Sequence, residues 1–195
     1  MFKSMNSHIA KEKGMTFIEV LIALVIIVTG ILGAVAMQAT AKKGSFDALQ
    51  RSLASALAQD MLERMRSNDA LPANGILNTY VGTYGAADPG VAPVPACNAP
   101  GALCTSAQMV ATDVYQWAQL LRGANVTSGG QNAGGLSNAV GCITENNNAV
   151  TVTISWQGRT STQDGGAADN DFATNTACGT ASDKRRQVHI QAFIF

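Results

Sequence analysis

Hydrophobic and polar positions divide the chain into two regimes. From Met15 to Met37 nearly every side chain is apolar, and the one ionisable group is Glu19. Wound as a helix at about 1.5 Å per residue, this stretch spans roughly 35 Å, enough to cross a bilayer's hydrocarbon core. Beyond Met37 the pattern turns amphipathic. Phe46, Leu49, Leu53, Leu57 and Met61 recur at three- or four-residue spacing, and Gln50, Arg51, Gln59, Glu63 and Arg66 fill the other faces. No proline occurs before Pro72, and Ala54, Ala56 and Ala58 favour helix. One helix is therefore predicted from Met15 to about Arg66, on the order of 75 Å long, with Asn68 and Pro72 in its exit. Gly30, Gly33 and Gly44 interrupt it. They suit either close packing through small residues or a stretch that unwinds in an assembly.

The rest of the chain reads as a small mixed domain. The segment from Leu71 to Cys104 is irregular. Thr79–Tyr84 is expected as a short strand, and Pro89, Pro93, Pro95 and Pro100 make 85–104 a surface loop. Thr105 with Gln108 forms a capping box, opening a second helix whose apolar face is Met109, Val110, Val114, Trp117, Leu120 and Leu121, and which ends near Gly123. Gly129–Gly135 is expected as a flexible link. It lacks the Gly-Lys-Ser/Thr ending of a phosphate loop. Leu136–Ile143 reads as a strand leading into a turn at Glu145–Asn148. Val150, Val152, Ile154 and Trp156 alternate with Thr151, Thr153 and Ser155, the strongest strand signal in the chain. A long polar segment, Gly158 to Asp183, precedes a last strand over Gln187–Phe195. Three antiparallel strands laid across the exposed half of the long helix would bury both apolar faces, which makes the class α+β.

Charge sharpens the picture at the N-terminus. The chain has 13 basic and 13 acidic residues. Lys3, Lys11 and Lys13 against Glu12 leave the first segment basic and the remainder slightly acidic. No overall basic balance argues for nucleic acid. The lysines ahead of the apolar run predict a cytoplasmic N-terminus and an outside C-terminal body, although Lys42 and Lys43 just past the run reduce the asymmetry. The run is too long for a secretory signal's apolar region, and no small-x-small cleavage pattern follows it.

Candidate chemistry is sparse. Four cysteines, Cys97, Cys104, Cys142 and Cys178, all lie in the outside part, which suggests disulfides with three pairings open. Cys97 with Cys104 closes a short loop through Pro100 and Gly101. Zinc is disfavoured, because there is no Cys-x-x-Cys and the only histidines are His8 and His189. Lys184, Arg185 and Arg186 form the densest basic run, read first as solvated charge and second as a contact for a neighbour's acidic loop or for DNA. Asp164, Asp169 and Asp171 could hold calcium but lack the ordered EF-hand spacing. Tyr80, Tyr84, Trp117 and Trp156 read as core or surface aromatics. No nucleophile–base arrangement and no hydrolase motif is present, so no enzyme activity and no cofactor are expected.

Gly14-Met15-Thr16-Phe17-Ile18-Glu19-Val20-Leu21-Ile22-Ala23-Leu24 resembles the class III signal of type IV prepilins. The resemblance implies that a membrane-embedded prepilin peptidase cuts after Gly14 and methylates the new amine of Met15. It implies that Glu19 pairs with that amine, on its own chain or a neighbour's, during assembly. Without the resemblance, Glu19 is an isolated acid tolerated in the membrane. Leu57–Asn68, Cys104–Met109 through Asp113 and Trp117, and Val152–Trp156 are similar to the type IV pilus modification proteins, the PilV family of minor pilins. That family's Leu-Pro-Gly after the second helix is replaced here by Leu121-Arg122-Gly123. The resemblance implies a type IV pilin fold: a long N-terminal helix packed against a small antiparallel sheet with one extra helix. It implies a leader at 1–14, a transmembrane half at 15–37, an amphipathic half at 38–68 and a periplasmic head at 69–195. It favours the Cys142–Cys178 pairing. The implied partners are prepilin peptidase, other minor and major pilins and the inner membrane, with a role in priming the pilus and a place at its tip. Two further readings stand beside it, a pseudopilin of a type II secretion system and an enzyme or receptor that keeps its anchor uncut.

Overall fold

The computed structural model describes residues 14–68, 75–98, 101, 103–167 and 176–194. The leader lysines, Leu71, Pro72, Pro100, Asp169, Asp171 and Phe195 lie outside the described residues. The chain divides into two compact units, Met1–Lys42 and Lys43–Phe195.

In the first unit the described residues form the start of helix α1 (Phe17–Ser67), which is helical through Gly30 and Gly33. Its apolar side chains are exposed along the whole stretch. Thr29 Oγ1 donates to the carbonyls of Val25 and Ile26 at 3.0 Å, and Thr40 Oγ1 donates to Ala36 at 3.2 Å. The hydroxyls are thus satisfied within the helix, which is what an apolar surrounding requires. A Cβ added at Gly30 or Gly33 would meet nothing within 4 Å, so no close packing among the described residues calls for these glycines.

In the second unit the rest of α1 buries Gln50, Ala54, Leu57, Ala58, Met61, Leu62 and Met65, a stripe at helical spacing. A 3₁₀ turn (Ile76–Tyr80) leads into β1 (Gly82–Tyr84), followed by α2 (Ser106–Arg122), β2 (Thr127–Ser128), β3 (Gln131–Asn132), β4 (Val140–Asn146), β5 (Ala149–Gln157) and β6 (Arg185–Phe193). The main sheet is antiparallel in the order β1-β4-β5-β6, and β2 pairs only with β3. Three of its strands are the three expected across the helix, and the fourth, β1, is the later half of the expected Thr79–Tyr84 strand. Thr79–Tyr84 is not one strand, because Gly75 (φ 66°) sets up the 3₁₀ turn and Tyr80 is drawn fully into the core. The Gly129–Gly135 stretch holds a small hairpin rather than a flexible link. Its turn uses positive φ at Gly129 and Gly130, and Ala133 N–H donates to the Val126 carbonyl at 2.7 Å.

α2 begins with the capping box. Thr105 Oγ1 accepts from Gln108 N–H at 3.3 Å, and Gln108 Oε1 accepts from Thr105 N–H at 2.9 Å. It ends at Gly123 (φ 66°) with the Gly123 and Ala124 amides donating back to Leu120 and Gln119, both at 3.0 Å. Thr105→Ala is expected to cost about 1 kcal/mol of stability, and Thr105→Ser much less. Urea melts of the detergent-solubilised chain check this, and equal midpoints for the three proteins would contradict the cap's role.

β4 begins four residues later than the pattern predicts. The Leu136 amide donates to Leu121 O at 3.1 Å and the Ser137 amide to Gln50 Oε1 at 3.1 Å, so neither is free for the ladder. The β4–β5 turn tightens to Asn147 (φ 51°) and Asn148 (φ 66°), left-handed positions that Asn accepts. Gly141 lets the sheet approach α2, since a Cβ there would fall 2.3 Å from the Trp117 ring. Trp117 is fully buried and its Nε1 donates to Leu57 O at 2.9 Å.

The alternation of β5 predicts one wet face, and the structure differs. Thr151, Thr153 and Ser155 are as buried as Val150, Val152 and Ile154. The end of the 158–183 segment covers this second face. Cys178 Sγ lies 3.6 Å from the Thr153 carbonyl, and Gly179 lies so close that an added Cβ would sit 2.3 Å from Ser155 Oγ.

Candidate processing and assembly site

The N-terminal residues are placed by where the helix begins. Gly14, Met15 and Thr16 precede α1 and are exposed. The Glu19 and Val20 amides both donate to Thr16 O, closing the first turn. Glu19 therefore lies in that turn, where unpaired amides leave the positive end of the helix dipole. A free amine at Met15 would add a positive charge near that end. Phe17, Ile18, Leu21, Ile22, Leu24 and Val25 are exposed around it. This apolar surface has no partner within the described chain and suits lipid or other helices of its kind.

A second constellation joins α1, the 3₁₀ turn and α2. Asp113 is 6 % exposed. Tyr80 Oη donates to its Oδ2 at 2.8 Å and Arg64 Nη1 to its Oδ1 at 3.3 Å. Arg64 also pairs with Asp60 through Nε at 2.8 Å and donates to Gln116 Oε1 at 3.0 Å. Asn68 Nδ2 donates to Tyr80 Oη at 3.1 Å and to Ser106 O at 3.2 Å. Burial pushes the Tyr80 phenol well above its ordinary pKa, so it stays a hydrogen-bond donor. Asp113 carries no predicted role in the sequence pattern. The available signal was a carboxylate on the apolar stripe between Val110 and Trp117, where burial demands a partner.

Lys184, Arg185 and Arg186 do not act together. Arg185 is 2 % exposed. Its Nε and Nη2 bind both oxygens of Asp164, and its Nη1 donates to the carbonyls of Thr176, Cys178 and Gly179 at 3.0 to 3.3 Å. Arg186 Nη2 donates to Thr160 O at 2.7 Å. A cationic contact of three charges for DNA or an acidic loop is thus corrected: the central charge is committed to the fold. Of the three carboxylates in the calcium reading, Asp164 serves Arg185, and Asp169 and Asp171 lie outside the described residues. Among the described residues no group of three His, Cys, Asp or Glu comes together. His189 lies on β6 opposite Thr153. Asp47, on α1 in the second unit, accepts from the Arg159 amide at 3.0 Å and Thr160 Oγ1 at 2.9 Å, and the amide bond in particular lowers its pKa.

The cysteines pair as Cys97–Cys104 and Cys142–Cys178, each with Cα atoms 5.9 Å apart. The first closes part of the proline-rich loop. The second fixes the end of the 158–183 segment to β4.

Comparison with known families falls on these features. Residues 9–35 match the prokaryotic N-terminal methylation motif, and residues 36–115 match the model described as type IV pilin Tt1218. No curated protein and no solved structure matches the chain. The long N-terminal helix, small antiparallel sheet and second helix are consistent with the α+β fold of a type IV pilin, and the methylation-motif match lies directly ahead of the Tt1218 match. The motif implies processing by prepilin peptidase and association with other pilins. With the apolar helix, it fits anchoring in the inner membrane followed by a place in a pilus.

Proposed function

We propose that the chain is a minor pilin of a type IV pilus that takes part in priming filament assembly, with a place at the filament tip. The observation that carries it is the prepilin motif at 9–35 running without a gap into the pilin match at 36–115, on a helix whose apolar part holds one ionisable group, Glu19. The likeness of Leu57–Asn68, Cys104–Trp117 and Val152–Trp156 to the type IV pilus modification proteins favours a minor over a major subunit. The precursor sits in the inner membrane with its N-terminus in the cytoplasm and its head in the periplasm. Cleavage between Gly14 and Met15 frees the amine that Glu19 meets during assembly.

The test is deletion of the gene, with pili counted by microscopy and the chain quantified in sheared filaments. Few or no pili, restored by the wild-type gene, and a small share of filament subunits are expected. A chain that makes up most of the filament would refute the minor role. Normal pili with failed protein secretion would assign it to a type II secretion system instead. Glu19→Ala is expected to leave membrane-bound, processed protein at wild-type amounts but to cut its amount in sheared filaments by at least about tenfold, the effect of losing roughly 1.4 kcal/mol or more. Immunoblots of the two fractions check this, and equal amounts in the filaments would remove Glu19 from assembly.

A further inference from the structure

The cations of the second unit divide by their partners. Arg64, Arg66, Arg122 and Arg185 each have a carboxylate partner. Lys43, Arg51, Arg159, Lys184 and Arg186 have no ion pair among the described residues. Lys43, Arg159 and Arg186 gather at one turn of α1. Lys43 precedes Asp47 by four residues and so shares its face of the helix. Asp47 accepts from the Arg159 amide and Thr160 Oγ1, which ties the segment after β5 to this turn. The Arg159 guanidinium lies over the Phe46 ring, 4.0 Å from its centroid. Arg186 Nη2 donates to Thr160 O, and its charge helps to lower the Asp47 pKa, so it stands close by. Lys43 and Arg159 are exposed, and Asp47 is the only carboxylate between residues 20 and 59. The cluster therefore has three positive charges about one negative charge. Stacking on Phe46 fixes the plane of Arg159 in advance, and a fixed guanidinium fork suits phosphate oxygens.

The cluster stands at a particular place in the sequence. Glu19 and Lys42 bracket a run of uncharged residues, Val20 to Ala41, about 33 Å of helix and a full hydrocarbon span. Lys43 follows this run directly, where a bilayer presents its headgroups. Lysines on the outward side run against the usual bias of membrane proteins, so their place calls for a reason other than topology. We propose that Lys43, Arg159 and Arg186 bind the phosphates of anionic phospholipids in the outward leaflet, gathering acidic lipid around the chain before it is assembled. The proposal rests on the placement of the apolar run in the inner membrane with the head outside. Lipid phosphates are already concentrated at that level, and each basic residue near an anionic surface strengthens attraction by about fivefold.

The test places the full chain in nanodiscs of equal phosphatidylglycerol and phosphatidylcholine and counts the lipids it retains by native mass spectrometry. The leader lysines are the same in every variant, so the ratio of the two lipids is compared between proteins. Lys43→Gln and Arg159→Gln should each lower the phosphatidylglycerol ratio by about fivefold, and the double variant by at least about tenfold. Arg159→Lys should keep most of it, because the charge remains. Arg66→Gln, an equal loss of charge at the far end of α1 and at a paired residue, should change it by less than about twofold. Raising salt to about 0.5 M should shrink the difference between wild type and the double variant. Thermal melts establish that each head is folded, and Lys43→Gln leaves the Asp47 contacts to Arg159 and Thr160 untouched. A chain that enters the discs but whose folded double variant keeps the wild-type ratio would overturn the proposal alone, and would point to an acidic protein surface instead. A chain that stays in the aqueous phase would overturn the membrane placement and the proposal with it.

Discussion

Replacing Gly14 with valine is expected to leave the chain uncut, with Met1 in place and Met15 unmethylated, and to remove it from sheared filaments. The reason lies outside the fold. Gly14 is exposed, precedes α1, and a Cβ added there meets nothing within 4 Å. The substitution should therefore change the stability of the head by less than about 0.5 kcal/mol. Under the proposed cleavage after Gly14, the requirement for glycine comes from the peptidase surface that closes on this backbone, and the motif match covers this position. A side chain that keeps the scissile bond even slightly out of place lowers the rate by about a hundredfold, near 3 kcal/mol of barrier. Intact-mass spectrometry of the membrane fraction reads both steps at once, as loss of the leader and gain of a methyl group. A methylated product starting at Met15, formed in Gly14→Val cells as fast as in wild type, would refute the assignment. The same spectrum from wild-type cells separates an assembled pilin from an anchor that stays uncut.

The features legible in the sequence are those set by near neighbours. α1 shows in a 3.6-residue period, α2 in the Thr105–Gln108 box and the glycine at Gly123, and β5 in its alternation. Gly14, Met15 and Glu19 stand in one contiguous stretch inside the matched methylation motif, and their roles in cleavage and assembly belong to the proposal. What was hidden depends on residues far apart in the chain. The polar positions of β5 look like a solvated face. They are buried because Cys178 and Gly179, more than twenty residues later, are held over them. The strand at Leu136 starts late because its amides serve Leu121 and Gln50. Asp113 looks like an ordinary helix polar residue until Arg64 and Tyr80 arrive from two other elements. Arg185 looks like surface charge, yet it is the most buried cation of its run because five acceptor atoms converge on it. No local pattern encodes that convergence.

That convergence carries the second large effect. Asp164→Asn is expected to destabilise the head by about 3–5 kcal/mol, because it leaves a buried guanidinium without its counter-ion. Natural domains have about 5–15 kcal/mol in hand, so the variant should still fold, with a lowered urea midpoint. Replacing both partners, Asp164→Leu with Arg185→Met, should cost less than Asp164→Asn alone, since no charge is then stranded. The three carbonyls that Arg185 also serves keep this double variant from full recovery. The pH dependence has a defined sign. The Arg185 hydrogen bonds hold the Asp164 carboxyl below its ordinary pKa. Between the folded value and the unfolded value of about 3.9, the unfolded chain binds more protons than the folded one. The pair's contribution is therefore complete above about pH 4 and declines as pH falls through the folded value. The gap between wild type and Asp164→Asn should be flat from neutral pH down to about pH 4 and narrow below it. Urea titrations followed by the fluorescence of the buried Trp117 and Trp156 measure it. A gap under about 1 kcal/mol at neutral pH, or one that widens in acid, would show that Arg185 does not need Asp164 to stay buried.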